Sequence, residues 1–336
     1  MLFALAVISL RIPAIQSAEK AGLQNPIQDP LVLSAADKAE LAEAFRLKTE
    51  LGDRVWPGLG SADIPVILYN DSHEFLFGEA KPTGSWKVVE GDDFLGQLYY
   101  HRPAENPESF AVLIGTHWAG SLSTLDRMNR KSPFKLSPDF YVVLILHEVF
   151  HAHQANLARA RFAKVVAVYA SESRYPSQDK AFAAAWNSEG AALAEALRAK
   201  DNAEAFRLVQ KFLQIRDERR RHAALSPDLL AYELELEWLE GLAEYVEIKF
   251  YELAASRASE PAFTRYRPGL PPYLQWDFVR LERQMGQQNG DLRFYLSGMA
   301  QARLLDRLSP NWQTKMMQEG TYLEELLRFI VGSISK

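Results

Sequence analysis

The sequence predicts an α+β fold, with a small β-sheet lobe towards the amino terminus and a predominantly helical lobe behind it. Three observations carry this. Short β-rich runs are confined to residues 64–116, between Gly, Pro, Asn and Asp. From about residue 137 onward, apolar residues recur at helical spacing. No fixed-period repeat or low-complexity linker interrupts either region. A length of 336 residues suits two lobes at about 150 residues per domain.

Residues 2–10, LFALAVISL, are too short to span a bilayer, and Ser17 and Ala18 precede a polar stretch. This pattern suggests a secretory leader over residues 1–18 and hence a secreted or periplasmic protein; a buried or amphipathic first helix is the alternative. No later segment is apolar for long enough to predict a transmembrane span. Residues 35–51 read as a helix with Leu41, Ala44, Phe45 and Leu51 on one face. Lys48 shares that face, so its stem is expected along apolar surface with its charge in water. IPVILYN, HEFLFG, SWKVVEG, FLGQLYYHR and SFAVLIGT then supply the strands of a largely antiparallel sheet. Helices are expected over 138–160, 177–199, 201–222, 227–256, 275–287, 291–307 and 321–333, with prolines at 176, 227, 268, 271, 272 and 310 as breaks or starts.

Composition narrows the chemistry. Forty-three acidic against 38 basic residues give a net charge of −5, which disfavours a nucleic-acid partner. The absence of cysteine excludes disulfides, thiolate metal sites and cysteine nucleophiles. A metal must therefore be held mainly by His, Asp or Glu.

Residues 147–151 read His147-Glu148-Val149-Phe150-His151, behind a helix start at Ser137-Pro138-Asp139 and the apolar run from Phe140 to Leu146. On a helix, His147 and His151 lie one turn apart on one face, where both imidazoles can bind a single ion, with Zn²⁺ expected. Glu148 falls about 100° round, beside the ion, where a general base for an activated water belongs. His153 lies about 200° from His151 and is expected to be structural.

A catalytic zinc needs a third protein ligand and one open position. In the segment WLEGLAEYVE, Glu240 is flanked by Gly241 and Ala243, small enough for another helix to approach. Glu233, Glu237 and Glu247 complete an acidic stripe that reads as a solvated face. The run RDERRR at 216–221 reads likewise.

HEVFH followed by WLEGLAEYVE resembles the gluzincin superfamily of zinc metallopeptidases, which includes thermolysin-like enzymes and a large aminopeptidase branch. The resemblance covers about residues 137–256. It implies a zincin-like fold with the metal site at the junction of the lobes; the residue patterning itself divides the chain into a leader over 1–18, an amino-terminal lobe over 19–136 and a helical lobe over 137–336. The resemblance implies one Zn²⁺ per chain on His147, His151 and Glu240, Glu148 as general base, and Glu244 as a carboxylate bonded to a ligating His. The implied substrate is a peptide or protein. A non-peptidase zinc hydrolase and a catalytically silent interaction protein are the rival readings.

Glu189, in WNSEGAA, shares the EGxA context and stays open as third ligand; with Glu240 preferred, helices 177–199 and 201–222 look like an insertion. No GxMEN-like exopeptidase motif is present, so endo- or exo-action stays open. Residues 110–116 are the candidate edge strand for an extended substrate, or else an internal sheet member. Tyr295 is the candidate oxyanion stabiliser, with Tyr273 and His222 as alternatives.

Overall fold

The structure, a computed structural model, describes residues 31–334 apart from 106, 133, 134 and 289; the expected leader over 1–18 lies outside the described residues. Among the described residues no helix is long and apolar enough to cross a membrane. The architecture is α+β, with a six-stranded sheet in the amino-terminal part and a mostly helical carboxy-terminal part.

Helix α1 (Ala35–Val55) leads into β1 (Val66–Tyr69), β2 (His73–Phe77), β3 (Lys87–Val88), β4 (Tyr100–Pro103), β5 (Phe110–Ile114) and β6 (His117–Ser123). Helices α2 (Leu125–Lys131) and α3 (Pro138–Leu157) follow. The described residues divide into two units, one holding 31–46 with 62–152 and the other 47–61 with 153–334. The division falls within α1 and α3.

In the first unit the strand order is β3-β4-β2-β1-β6-β5. Every neighbouring pair is antiparallel except β1 and β6, which run parallel. The fully buried VILY of β1 belongs to such a central position, since both faces are covered. Ile67, Leu76, Trp86, Ile114 and Ala119 form one core cluster here.

Strand β6 departs from the sequence expectation, which placed the last strand over residues 110–116 and none after it. The chain instead turns back after Ile114, and Val112↔Ala119 and Phe110↔Ser121 pair across the hairpin. The segment HWAGSLS lacks β-branched residues, and its small side chains have a packing reason. A Cβ on Gly120 would come within 2.8 Å of the Glu148 carbonyl carbon and oxygen, so α3 rests directly on this strand. The Tyr141 hydroxyl, donating to Ser123 O at 2.9 Å, ties the start of α3 to the same strand.

The second unit is helical: α4 (Arg159–Val168), α5 (Lys180–Leu197), α6 (Asn202–His222), α7 (Pro227–Leu236), α8 (Leu242–Ser256), α9 (Pro272–Arg283), α10 (Leu292–Leu308), α11 (Gln313–Met316) and α12 (Leu323–Ile334). Asp179 and Asp201 start α5 and α6 by accepting from Phe182 N and Glu204 N at 2.7 and 2.8 Å. The helix expected over 227–256 is interrupted by a π-helical segment, Glu237–Gly241, between α7 and α8. Helix α10 crosses that segment at backbone contact: a Cβ on Gly241 would stand 2.4 Å from Gly298 Cα.

A buried ion network fills this unit. Arg216 donates to Glu189 at 2.6 and 2.9 Å, to Glu237 at 2.5 and 2.9 Å, to Glu324 at 2.8 Å and to Ser297 Oγ at 2.7 Å. Arg219 adds Glu189 and Glu233 at 2.8 and 2.6 Å, and Arg220 adds Glu233 and Glu324 at 2.7 and 2.9 Å. This corrects two sequence readings. Glu233, Glu237 and Glu247 are buried, as are Arg216 and Arg219, so neither the acidic stripe nor the whole of RDERRR is a solvated face. Asp217, Glu218 and Arg221 alone keep the exposed side of that run. Helices α5 and α6 carry Glu189, Arg216 and Arg219 into the core, so they are integral to it. Lys48 is also corrected: it is buried, and its ammonium donates to Gly60 O at 3.2 Å.

Candidate metal centre

Every residue of α3 from Phe140 to Ala155 is buried, its polar members included. A helix covered on all sides is apolar throughout unless its polar residues have partners or a task. His147, Glu148 and His151 are 7%, 6% and 2% exposed. One helical turn brings His147 Nε2 and His151 Nε2 to 3.1 Å from each other. Two nitrogens on one tetrahedral zinc, each about 2.0–2.1 Å away, stand about 3.3 Å apart. The observed pair is therefore close to the spacing that a shared ion requires. The Phe110 ring of β5 lies 4.9 Å from that of His151, centroid to centroid.

Glu240 is 1% exposed and sits in the π-helical segment. Single-turn π segments occur frequently at functional sites because they turn a side chain out of ordinary helical register. They also leave backbone carbonyls in need of donors. Gln154, on the turn of α3 after His151, supplies them: its Nε2 donates to Trp238 O at 2.8 Å and Leu239 O at 3.3 Å.

The buried His147, His151 and Glu240 each offer a ligand atom, all within 4.8 Å of one another, and the cluster could hold a metal ion. The same holds for His147, Glu244 and Glu247. Glu189 is not in either group; its carboxylate accepts from Arg216 and Arg219. His153 is buried outside both groups, and burial, reinforced by Lys48, pushes its imidazole down to about 4. It is neutral at physiological pH. Of the proposed oxyanion donors, His222 lies exposed at the end of α6. Tyr295, in α10, is a phenolic neighbour of Glu240, whose charge acts on it.

Glu240 has a second phenolic partner that sequence reasoning missed. Tyr169, in the 3-10 turn Tyr169–Arg174 after α4, places its hydroxyl 2.9 Å from Glu240 Oε1 and 3.1 Å from Asp291 Oδ2. Burial, with the charges of Glu240 and Asp291, pushes both tyrosines well above the usual phenol range, so both stay protonated. Burial and the nearby Glu240 charge push the Asp291 carboxyl up to about 7. Nothing in YASESR or GDLRF marks these residues, because their partners lie 71 and 122 positions away from Tyr169. Gln154 was the findable one, a polar residue three positions beyond His151 on the same helix.

Compared with known proteins, the chain gives no significant match to a family model, a curated protein or a solved structure.

Proposed function

We propose that this protein is a zinc-dependent metallopeptidase of the gluzincin type, with a zincin-like arrangement of its sheet and metal helix. The carrying observation is the donor set: two imidazole nitrogens 3.1 Å apart, a buried carboxylate in reach, and a glutamate between the histidines. Two neutral nitrogens and one anionic oxygen suit Zn²⁺ and make three protein ligands, the number found in catalytic sites. When bound, zinc supplies a water of lowered pKa and polarises a carbonyl.

The residues supply the rest. His147, His151 and Glu240 would hold the ion. Glu148 takes the proton of the attacking water on its carboxylate and returns it to the departing amine nitrogen. Strand β5 ends the sheet and runs past His151, so its outward N–H and C=O groups can pair with an extended peptide. That edge favours a peptide substrate over other electrophiles.

The test is cleavage of a broad peptide library by zinc-loaded wild type and Glu148→Gln. The variant should keep its zinc and lose about 10²–10⁴-fold in rate. Undiminished cleavage by the metallated variant would refute the general base. A zinc-loaded wild type that cleaves no peptide would refute the peptidase reading.

A further inference from the structure

The contacts of Tyr169 raise a problem of proton counting. A phenol has one proton to donate, yet its oxygen lies within hydrogen-bond distance of two carboxyl groups, Glu240 at 2.9 Å and Asp291 at 3.1 Å. Two ionised carboxylates cannot both accept from it. All three groups are satisfied only if one carboxyl brings a proton of its own. A carboxylate that binds a metal must be deprotonated. The proton therefore belongs on Asp291, which donates to the Tyr169 oxygen while Tyr169 donates to Glu240.

We infer that Tyr169 is a positioning residue for Glu240: supported from behind by the Asp291 carboxyl, its phenol holds Oε1 and orients the carboxylate towards the metal. The inference rests on Glu240 being a metal ligand. The elevated Asp291 carboxyl agrees with this chain of donors. So does the placement of the three groups on three separate pieces of one unit: the 3-10 turn, the π-helical segment and the residue preceding α10. Each is held independently. The ring of Tyr169 packs edge-on against Tyr232 at 6.5 Å, and Asp291 is fixed by the start of α10. Partners of ligating groups that lock their orientation typically change metal affinity 10–100-fold when removed.

The experiment measures zinc affinity of the full-length apo-protein by competition with a chromophoric chelator, and the visible spectrum of the cobalt-substituted form. Tyr169→Phe removes one oxygen and keeps the ring. It should weaken zinc binding about 10–100-fold and shift the cobalt ligand-field bands, with thermal stability of the apo-protein near that of wild type. Asp291→Asn can offer an amide donor to the Tyr169 oxygen in place of the carboxyl proton, and should leave affinity unchanged. Wild-type affinity and an unshifted cobalt spectrum in Tyr169→Phe would overturn the positioning role. Asp291→Asn weakening binding as much as Tyr169→Phe would overturn the proposed direction of the donors. Glu240→Gln, run alongside, separates the two claims. Loss of zinc there with none in Tyr169→Phe refutes positioning alone, whereas wild-type affinity in Glu240→Gln refutes the ligand and this inference with it.

Discussion

Replacing Arg216 with methionine tests whether the buried ion network holds the π-helical segment in place. Arg216 bonds Glu189, Glu237, Glu324 and Ser297. Without it, Glu189 keeps Arg219 at 2.8 Å and Glu324 keeps Arg220 at 2.8 Å. Glu237 is different: among the described residues Arg216 is its one cationic partner, and only the Ser297 hydroxyl at 2.5 Å stays with it. One buried carboxylate is thus left uncompensated. Breaking a buried pair by removing one partner costs about 3–5 kcal/mol, a large part of the roughly 5–15 kcal/mol by which domains are stable. Adding Glu237→Gln removes the stranded charge, so the double variant should recover about 1–3 kcal/mol relative to additivity. Urea unfolding followed by tryptophan fluorescence reads this unit, since the Trp186 ring lies 3.9 Å from the Arg219 guanidinium. A loss below about 1 kcal/mol in Arg216→Met, or strict additivity in the double variant, would refute the reasoning.

Acid should weaken the same unit. Burial would raise the Glu324 carboxyl, but Arg216 and Arg220 outweigh it and hold it at about 2 against an ordinary 4.5. Its contribution, on the order of 3 kcal/mol, is full above about pH 4.5 and is lost as pH falls towards 2. Urea stability measured from pH 6 to pH 2.5 should fall less steeply in Glu324→Gln than in wild type; equal slopes would contradict this. Gly298→Ala puts a Cβ 2.6 Å from Glu237 O and 2.7 Å from Gly241 Cα, both backbone atoms. It should destabilise by about 1–3 kcal/mol and weaken zinc retention by displacing the segment that carries Glu240. An unchanged urea midpoint would show that the crossing has slack. Glu240→Gln should weaken zinc binding strongly while Glu189→Gln, in its folded fraction, should not; the reverse outcome would make Glu189 the ligand.

What the sequence made legible was local. Helix α3 could be read because its start, its apolar run and both histidines lie within twenty consecutive residues, and helical periodicity alone puts His147 beside His151. The sheet was readable from β-branched and aromatic runs, except β6, whose small residues reflect the helix lying on them and carry no strand signal of their own. The ion network was not readable. Glu189 and Arg216 are 27 positions apart and Arg216 and Glu324 are 108, so charged residues that look solvated on their own helices become each other's partners only in the fold. The π-helical register of Glu237–Gly241 has a similar origin, in the Gly241–Gly298 crossing and the Gln154 side chain. Tyr169 and Asp291 belong to the same class: ordinary polar residues whose role is defined by a distant carboxylate.

X-ray absorption at the zinc edge of the wild-type protein, loaded with one equivalent of zinc, tests the central claim most directly. The account predicts stoichiometric binding with two imidazole nitrogens at about 2.0–2.1 Å, carboxylate oxygen at about 2.0–2.2 Å and one exchangeable water. Failure to retain zinc, or a shell with fewer than two imidazoles, would contradict it.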